Sequence, residues 1–286
     1  MNNFTLGKYV PYNSFLHRMD PRVKLAMTVC LMVCVFLSYS TWTMTFLVGA
    51  ILLVLAMILL GCTHMGIHDV LKSLRSLWIM IFFLLIIYIV VPRQTHTLSV
   101  AWEVGSWVVY WDSFADAGKI MLRLITMMMI TLTLTASTKP LDLTYALEWY
   151  MTPLKPLHFP AAEIAMTISI ALRFIPTLLE DTNRVMKAQA SRGVDMEHGR
   201  LMQKITGITS LIVPLFVSSF MRSEELANAM ECRGYDPTAK RTRYRKLHAR
   251  VSDFIFLILA NAILAGCIYM CVVNFDLFAL FGVTAL

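Results

Sequence analysis

Long apolar runs constrain this chain more than any other feature of its sequence. A run of about 20 apolar residues can cross the hydrocarbon core of a bilayer as a helix. With 58% hydrophobic and 15% charged residues, the chain is also too apolar for an ordinary soluble domain. We therefore predict an all-α polytopic membrane protein. Five runs are predicted to span: Lys24–Trp42, Thr43–Gly61, Leu77–Val91, Ile120–Ala136 and Ser252–Val273.

Two further runs, Ala161–Leu179 and Ile205–Met221, are apolar enough to be candidates, and the basic residues decide against them. Lys and Arg near spans favour the cytoplasmic side. If both runs crossed, the segment Glu180–Lys204, with five basic residues, would lie outside. We therefore predict five spans with a cytoplasmic N-terminus and an extracellular C-terminus. Both runs would then form helices packed under the membrane domain, partly sunk in the interface.

This topology divides the chain into three parts. Residues 1–136 form the N-terminal region with spans one to four, 137–251 form a cytoplasmic-side domain of long helices, and 252–286 form the last span with an outer tail. The first 24 residues are polar, and the apolar run after them lacks a small-residue cleavage site. We therefore expect the first span to be retained in a multi-pass protein of the cell membrane.

The sequence Arg-Gly-x-Asp occurs twice in the predicted cytoplasmic domain, in "ASRGVD" at 190–195 and in "ECRGYD" at 231–236. Each copy ends a segment with the same order of features: an apolar run with one proline, a more charged helical stretch, and then Arg-Gly. Gly193 and Gly234 stand where a left-handed residue commonly ends a helix. Both segments are therefore predicted to be long helices that stop at the glycine.

Helix termination alone explains one such motif, because a basic residue in the last turn also complements the helix dipole. Two copies on the same side of the membrane favour a second interpretation. In it, Arg192 and Arg233 each present a forked cation to a carboxylate on a partner protein. Two equivalent arginines indicate a partner with two equivalent grooves, which means a dimer or a pseudo-dimer.

Together with these motifs, several longer segments resemble one known family. The chain is similar to the transmembrane T component, EcfT, of energy-coupling factor (ECF) transporters, and closest to the shared, group II type. These transporters are ABC-type importers of vitamins and some metal ions. The segments that carry the resemblance are "GKYVPYNSFLHRMDPRVKL" (7–25), "TKPLDLTYALEWYMTPLK" (138–155), "ISIALRFIPTLLEDTNRVMKAQASRG" (168–193), "AMECRGYD" (229–236) and "RTRYR" (241–245).

The resemblance implies a coupling function. Beside the lipid bilayer, it implies as partners two ABC ATPase subunits, similar to EcfA and EcfA′, and a membrane-embedded substrate-binding S component. ATP and Mg would be bound by the ATPases, so this chain would hold no cofactor and catalyse no reaction. Cys232 departs from the family, which commonly has a small residue there. The residues implied in ATPase coupling are Ala190, Ser191, Arg192 and Gly193 in the first motif, and Glu231, Cys232, Arg233 and Gly234 in the second.

Alternative functions have weaker support in the sequence. A stand-alone carrier would need charged residues within its spans, and a membrane enzyme would need a spaced catalytic set. No P-loop is present. The pair His64 and His68, with Asp69, could share a metal only on a helix, and nearby glycines favour a loop. The basic run "KRTRYRKLHAR" (240–250) is interpreted as an anchor to anionic headgroups and not as a nucleic-acid site.

Two arginines lie in or near apolar runs, where a charge is costly. We expect Arg123 to reach the outer interface by snorkelling. For Arg173 we expect an ion pair inside the protein, with Glu163, Glu180 or Asp181 as the candidate partner, and the sequence does not choose among them.

Overall fold

The computed structural model describes residues 12, 14–37, 42–90, 100–104, 107–153, 160–194, 201–236, 239 and 250–273. The chain forms two compact units, Gly7–Ala146 with Leu247–Leu286, and Leu147–Lys246 with Met1–Leu6. The described elements are α1 (Phe15–Arg18), α2 (Pro21–Phe36), α3 (Trp42–Gly61), α4 (Ile67–Val90), β1 (Val100–Val104), β2 (Trp107–Tyr110), α5 (Trp111–Ser137), α6 (Pro140–Met151), α7 (Ala161–Ser191), α8 (Leu201–Cys232) and α9 (Val251–Val272).

The all-α polytopic prediction is confirmed, with one addition. A small antiparallel hairpin, β1 with β2, precedes α5, in a stretch for which no span was predicted. Five described helices are long and apolar enough to cross a membrane. By length and composition these are Trp42–Gly61, Trp111–Ser137, Ala161–Ser191, Ile205–Cys232 and Val251–Val272.

This set of five differs from the predicted one. It includes α7 and α8, which the charge distribution assigned to the cytoplasmic side, and that assignment stays a prediction. It omits α2, which has 16 residues and ends at Phe36 instead of Trp42. It also omits α4, whose apolar part is the shorter stretch Trp78–Tyr88. Apolarity marks the part of a helix that suits lipid, whereas backbone hydrogen bonds decide where the helix ends.

Several helices extend well beyond the predicted spans. α4 begins at Ile67, ten residues before the predicted start, and α5 begins at Trp111, nine residues before. The additional turns contain charged and polar residues and lie outside the apolar runs by which the spans were predicted. The predictions for α3 and α9 are confirmed to within one residue at each end.

α2 and α5 run in opposite directions, as contacts at both ends of the pair show. At the start of α2, Lys24 Nζ donates to the carbonyl of Ser137, the last residue of α5. At the other end, Arg123 donates to the carbonyls of Phe36 and Leu37, at 3.4 and 3.3 Å. Arg123 therefore satisfies carbonyls left open at the end of α2, and its snorkelling to the outer interface stays a prediction.

α2 and α9, in contrast, run in the same direction. The amide of Asp20, at the start of α2, donates to Asp253 in the first turn of α9. Between two and three turns further along, the Cys30 sulfur lies 3.9 Å from the Asn261 side-chain oxygen. A parallel pair places the start of α2 and the start of α9 at the same side of their unit.

α3 packs closely along α5. A Cβ added at Gly49 would lie 2.4 Å from the side chain of Leu122, so glycine permits the close approach of the two helices. The core of this unit draws on four helices, which explains why it buries side chains although much of its surface is apolar. Its buried members are Leu31, Cys34, Val35, Val48, Leu52, Ala56, Leu60, Met129, Ile130, Leu132 and Cys267.

Candidate docking site at the paired Arg-Gly caps

Both predicted helix ends lie in the Leu147–Lys246 unit, at the ends of its two long helices. α7 has 31 residues and contains Pro176, and α8 has 32 residues and contains Pro214. We call the end of α7 (Ala190–Gly193) the first cap and the end of α8 (Glu231–Gly234) the second cap. The prediction of two long helices that end at Arg-Gly is confirmed.

The first cap closes α7 with two backbone hydrogen bonds. The Gly193 amide donates to the Ala190 carbonyl at 3.0 Å, and the Val194 amide donates to the Gln189 carbonyl at 3.1 Å. This is the Schellman pattern, in which two carbonyls of the last turn receive partners from beyond the helix. Arg192 occupies the C-cap position.

The second cap repeats this arrangement 41 residues later. The Gly234 amide donates to the Glu231 carbonyl at 2.9 Å, and the Tyr235 amide donates to the Met230 carbonyl at 3.0 Å. Arg233 thus holds the same position in its cap as Arg192 does in the first. The sequence repeat is therefore also a repeat of backbone geometry.

Glycine is required in both caps for its backbone conformation. Gly193 has φ of 84° and Gly234 has φ of 69°, a region that costs other L-residues about 1–2 kcal/mol. A Cβ at either position would meet no atom within 4 Å. The left-handed stop predicted for both glycines is confirmed, and space is not what selects glycine here.

The side chains at both caps are available to a partner. Ser191 and Arg192, like Cys232 and Arg233, are exposed. Within the part of the chain that the structure describes, neither arginine side chain makes a hydrogen bond or an ion pair. No described residue therefore competes with a partner for the donors of either guanidinium group.

Contacts between α7 and α8 fix the direction of the pair. Asp181 accepts from Arg222 at 2.7 Å, and Gln189 donates to the Ser210 carbonyl at 3.3 Å. Moving toward the end of α7 therefore means moving toward the start of α8, so the helices run in opposite directions where they touch. Each cap arginine lies eleven residues beyond the ion pair, which separates the two by about 30 Å along straight helices.

The expected ion pair of Arg173 is wrong. Asp181, one of its three candidate partners, pairs with Arg222 instead. Arg173 is exposed on α7 and has no ion pair to a described residue. A neighbouring helix supplied the cation because α7 and α8 meet at Asp181, a contact that sequence spacing along α7 cannot reveal.

Other predicted sites are placed as follows. His64 lies in a turn with φ of 52°, whereas His68 and Asp69 lie on α4, which begins at Ile67. The predicted loop is therefore confirmed only for the first part of this stretch, and His64 and His68 do not share one helix. No group of three metal-binding side chains occurs among the described residues. The run at 240–249 and Asp195 lie outside the described residues.

Comparison with known proteins shows the family to which a chain with this geometry belongs. A family model described as "CbiQ: Cobalt transport protein" matches residues 12–244, which include both caps. The Energy-coupling factor transporter transmembrane protein EcfT of Bacillus subtilis is 40% identical over 248 residues, covering 86% of this chain and 90% of that protein. This chain belongs to the EcfT family.

Other EcfT proteins match over a similar length. The protein from Macrococcus caseolyticus is 38% identical, covering 90% of this chain and 94% of its own. That from Heliobacterium modesticaldum is 36% identical, with 92% and 96% covered. The matches extend over nearly the full EcfT sequence, and they agree with the apolar helices in making this chain a multi-pass membrane component of an ECF transporter.

Sequence reasoning missed a buried polar network elsewhere in this EcfT protein. Asp20 caps α2 by accepting from the Arg22 amide at 2.9 Å, and its own amide donates to Asp253. Arg22 donates to the Tyr145 hydroxyl and lies over the Tyr145 ring. Asp20, Lys24 and Asp253 are all buried. The available signal was the segment "DPRVKL" together with an aspartate in the first turn of the last span.

Proposed function

We propose that this chain is the coupling subunit of its ECF transporter. Its two Arg-Gly caps dock into two ABC ATPase subunits and carry their ATP-driven motion to a membrane-embedded S component. The S component binds the cargo, a vitamin or another micronutrient, and releases it inside the cell. ATP and Mg belong to the ATPases, so this chain contributes no catalytic residue and no cofactor site.

One observation carries the proposal. Two helix ends 41 residues apart have the same cap geometry, and each presents an exposed arginine without a partner in the described chain. Helix termination needs the glycine but not the arginine in both copies. A forked guanidinium is well suited to a carboxylate in a groove. The separation of about 30 Å along straight helices suits a partner with two lobes and is too great for one small groove.

The direction of the helices supports the proposed orientation. The first and last helices of the predicted membrane set, α2 and α9, run parallel, and α5 runs against α2. The first and last spans of a chain run in the same direction when the number of spans is odd. The basic residues concentrated between 137 and 251 indicate which side of the membrane is cytoplasmic. In the proposed orientation the N-terminus and both caps face the cytoplasm, where ATP is available, and the C-terminus faces outward.

Uptake by the complete transporter tests this function. The Arg192→Glu, Arg233→Glu double variant is expected to abolish ATP-driven uptake, because each carboxylate would repel the acidic groups expected in the groove. Each single variant should retain part of the activity, since the other cap remains. Arg173→Glu, an exposed reversal on the same α7, is the matched control and should transport normally. Normal uptake by a double variant that is inserted at wild-type levels would contradict the proposal.

A further inference from the structure

The two caps share one backbone geometry, but the helices that lead to them carry opposite charge. In residues 182–191 of α7 the charged side chains are Arg184 and Lys187. In the equivalent residues 223–232 of α8 they are Glu224, Glu225 and Glu231. Arg184 and Glu225 occupy the same position of the repeat, so the sign of the charge is inverted between the copies.

All five of these side chains are exposed, and none forms an ion pair with a described residue. On α7, Arg184, Lys187 and Ser191 lie on one face, because residues three, four and seven apart are neighbours on a helix. On α8, Glu225 and Cys232 are related in the same way. The charges therefore flank the cap arginines on surfaces that a partner can reach.

Helix stability does not account for the acidic set. A carboxylate near a helix C-terminus opposes the helix dipole, which favours cations there. Glu231 lies in the last turn of α8, next to carbonyls that already carry partial negative charge. In the last turn of α8 Glu231 is therefore unfavourable, and α7 has no acidic residue in its last turn. Contact with a partner protein would explain why these acidic residues are present near the end of α8.

We propose that these flanking charges determine the orientation in which a two-lobed partner docks, that is, which lobe binds which cap. This inference rests on the proposed function. The first cap, with two added positive charges, fits a groove with an acidic rim. The second cap, with three added negative charges, fits a groove whose floor accepts Arg233 and whose rim is basic. Two grooves of this kind agree with the two different ATPase subunits that the resemblance implies. The reverse orientation sets like charges against each other at both caps, which selects against it.

Two exposed positions at equivalent places in the repeat allow this to be measured. Native Cys232 and a cysteine introduced at Ser191 each accept a thiol-reactive photo-crosslinker. Cys62 is also exposed and is replaced by serine in both versions, and Cys232→Ser accompanies Ser191→Cys. Each version is assembled in detergent with the two ATPase subunits co-expressed with it, illuminated, and analysed for which subunit is attached.

We expect the Cys232 version to attach one ATPase subunit and the Ser191→Cys version to attach the other, each with about tenfold preference. Replacing all five flanking charges by glutamine is expected to remove the preference while both subunits still attach. Exchanging the two charge sets is expected to reverse it. The glutamine variant alone decides the matter if the exchanged variant fails to assemble.

Three results would contradict the proposal. Attachment of the same subunit from both positions, or of a partner with two identical lobes, would remove the asymmetry. A preference unchanged in the glutamine variant would place its origin elsewhere. These differ from failure of the proposed function itself, in which neither position of the wild-type charge set would attach any ATPase subunit.

Discussion

Asp181 and Arg222 form a 2.7 Å ion pair across α7 and α8, and they are the same position of the repeat, 41 residues apart. The two copies therefore meet at equivalent points, with their caps pointing away from each other. Arg222 also lies 5.8 Å from the ring of Phe174. Together with the hydrogen bond of Gln189 to the Ser210 carbonyl, this ion pair fixes the relative placement of the two caps, on which docking to two lobes depends.

Breaking that ion pair is expected to loosen the helix pair. With both side chains about a quarter exposed, Arg222→Ala should destabilise the protein by about 1 kcal/mol, between the values for surface and buried pairs. Thermal unfolding in detergent measures the loss. The exchanged pair Asp181→Arg, Arg222→Asp should recover part of it, and a double variant no more stable than the singles would show that the pair contributes nothing.

The cap glycines are expected to tolerate asparagine better than alanine. Gly193→Ala or Gly234→Ala puts a Cβ on a left-handed residue at a cost of about 1–2 kcal/mol, whereas asparagine visits this conformation more readily. Since no atom lies within 4 Å, strain is the only penalty. ATPase co-purification should fall for alanine and persist for asparagine. Equal loss with both would indicate that a partner needs the bare glycine.

Asp253 is expected to be the most sensitive residue of the buried network. It accepts from the amides of Asp20 and Arg250 at 3.2 and 3.0 Å and is 1% exposed. Asp253→Ala leaves both donors without an acceptor and should cost roughly 3 kcal/mol. Asn261→Ala, an exposed site on the same helix, is the control and should lower the unfolding temperature far less. Equal effects would refute a special role for the network.

Gly49 is expected to be needed for the contact of α3 with α5. Gly49→Ala places a Cβ 2.4 Å from Leu122 and should destabilise the protein by about 1 kcal/mol or more. Leu122→Ala in the same chain should relieve the clash. Gly266→Ala, within α9 and with no atom within 4 Å, should be neutral or stabilising because alanine favours a helix. Thermal unfolding of the three variants separates packing from helix propensity.

Local features of the sequence predicted much of this structure. The glycines of the caps predict helix ends with a left-handed residue, and the apolar runs predict the bounds of α3 and α9 to within one residue. Both predictions depend on residues close together in the chain. The helical starts of α4 and α5 were missed because their first turns mix polar with apolar residues and so lie outside the continuous apolar runs.

Features that depend on distant residues could not be predicted in this way. Arg123 reaches carbonyls at the end of α2, and Asp181 finds Arg222 instead of Arg173. Nothing in the spacing along one helix identifies a partner on another. The parallel contact of α2 with α9 joins residues more than 200 positions apart, and only the packed structure reveals it.

The central claim is that both caps bind ATPase subunits, and association in detergent tests it most directly. The chain, its ATPase subunits and the Arg173→Glu control are purified, and the amount of ATPase retained by each variant is measured. Arg192→Glu with Arg233→Glu is expected to lower retention by at least about tenfold, as the loss of charge-assisted contacts at two sites implies. Retention equal to that of the control, in a double variant that is folded and inserted, would contradict the account.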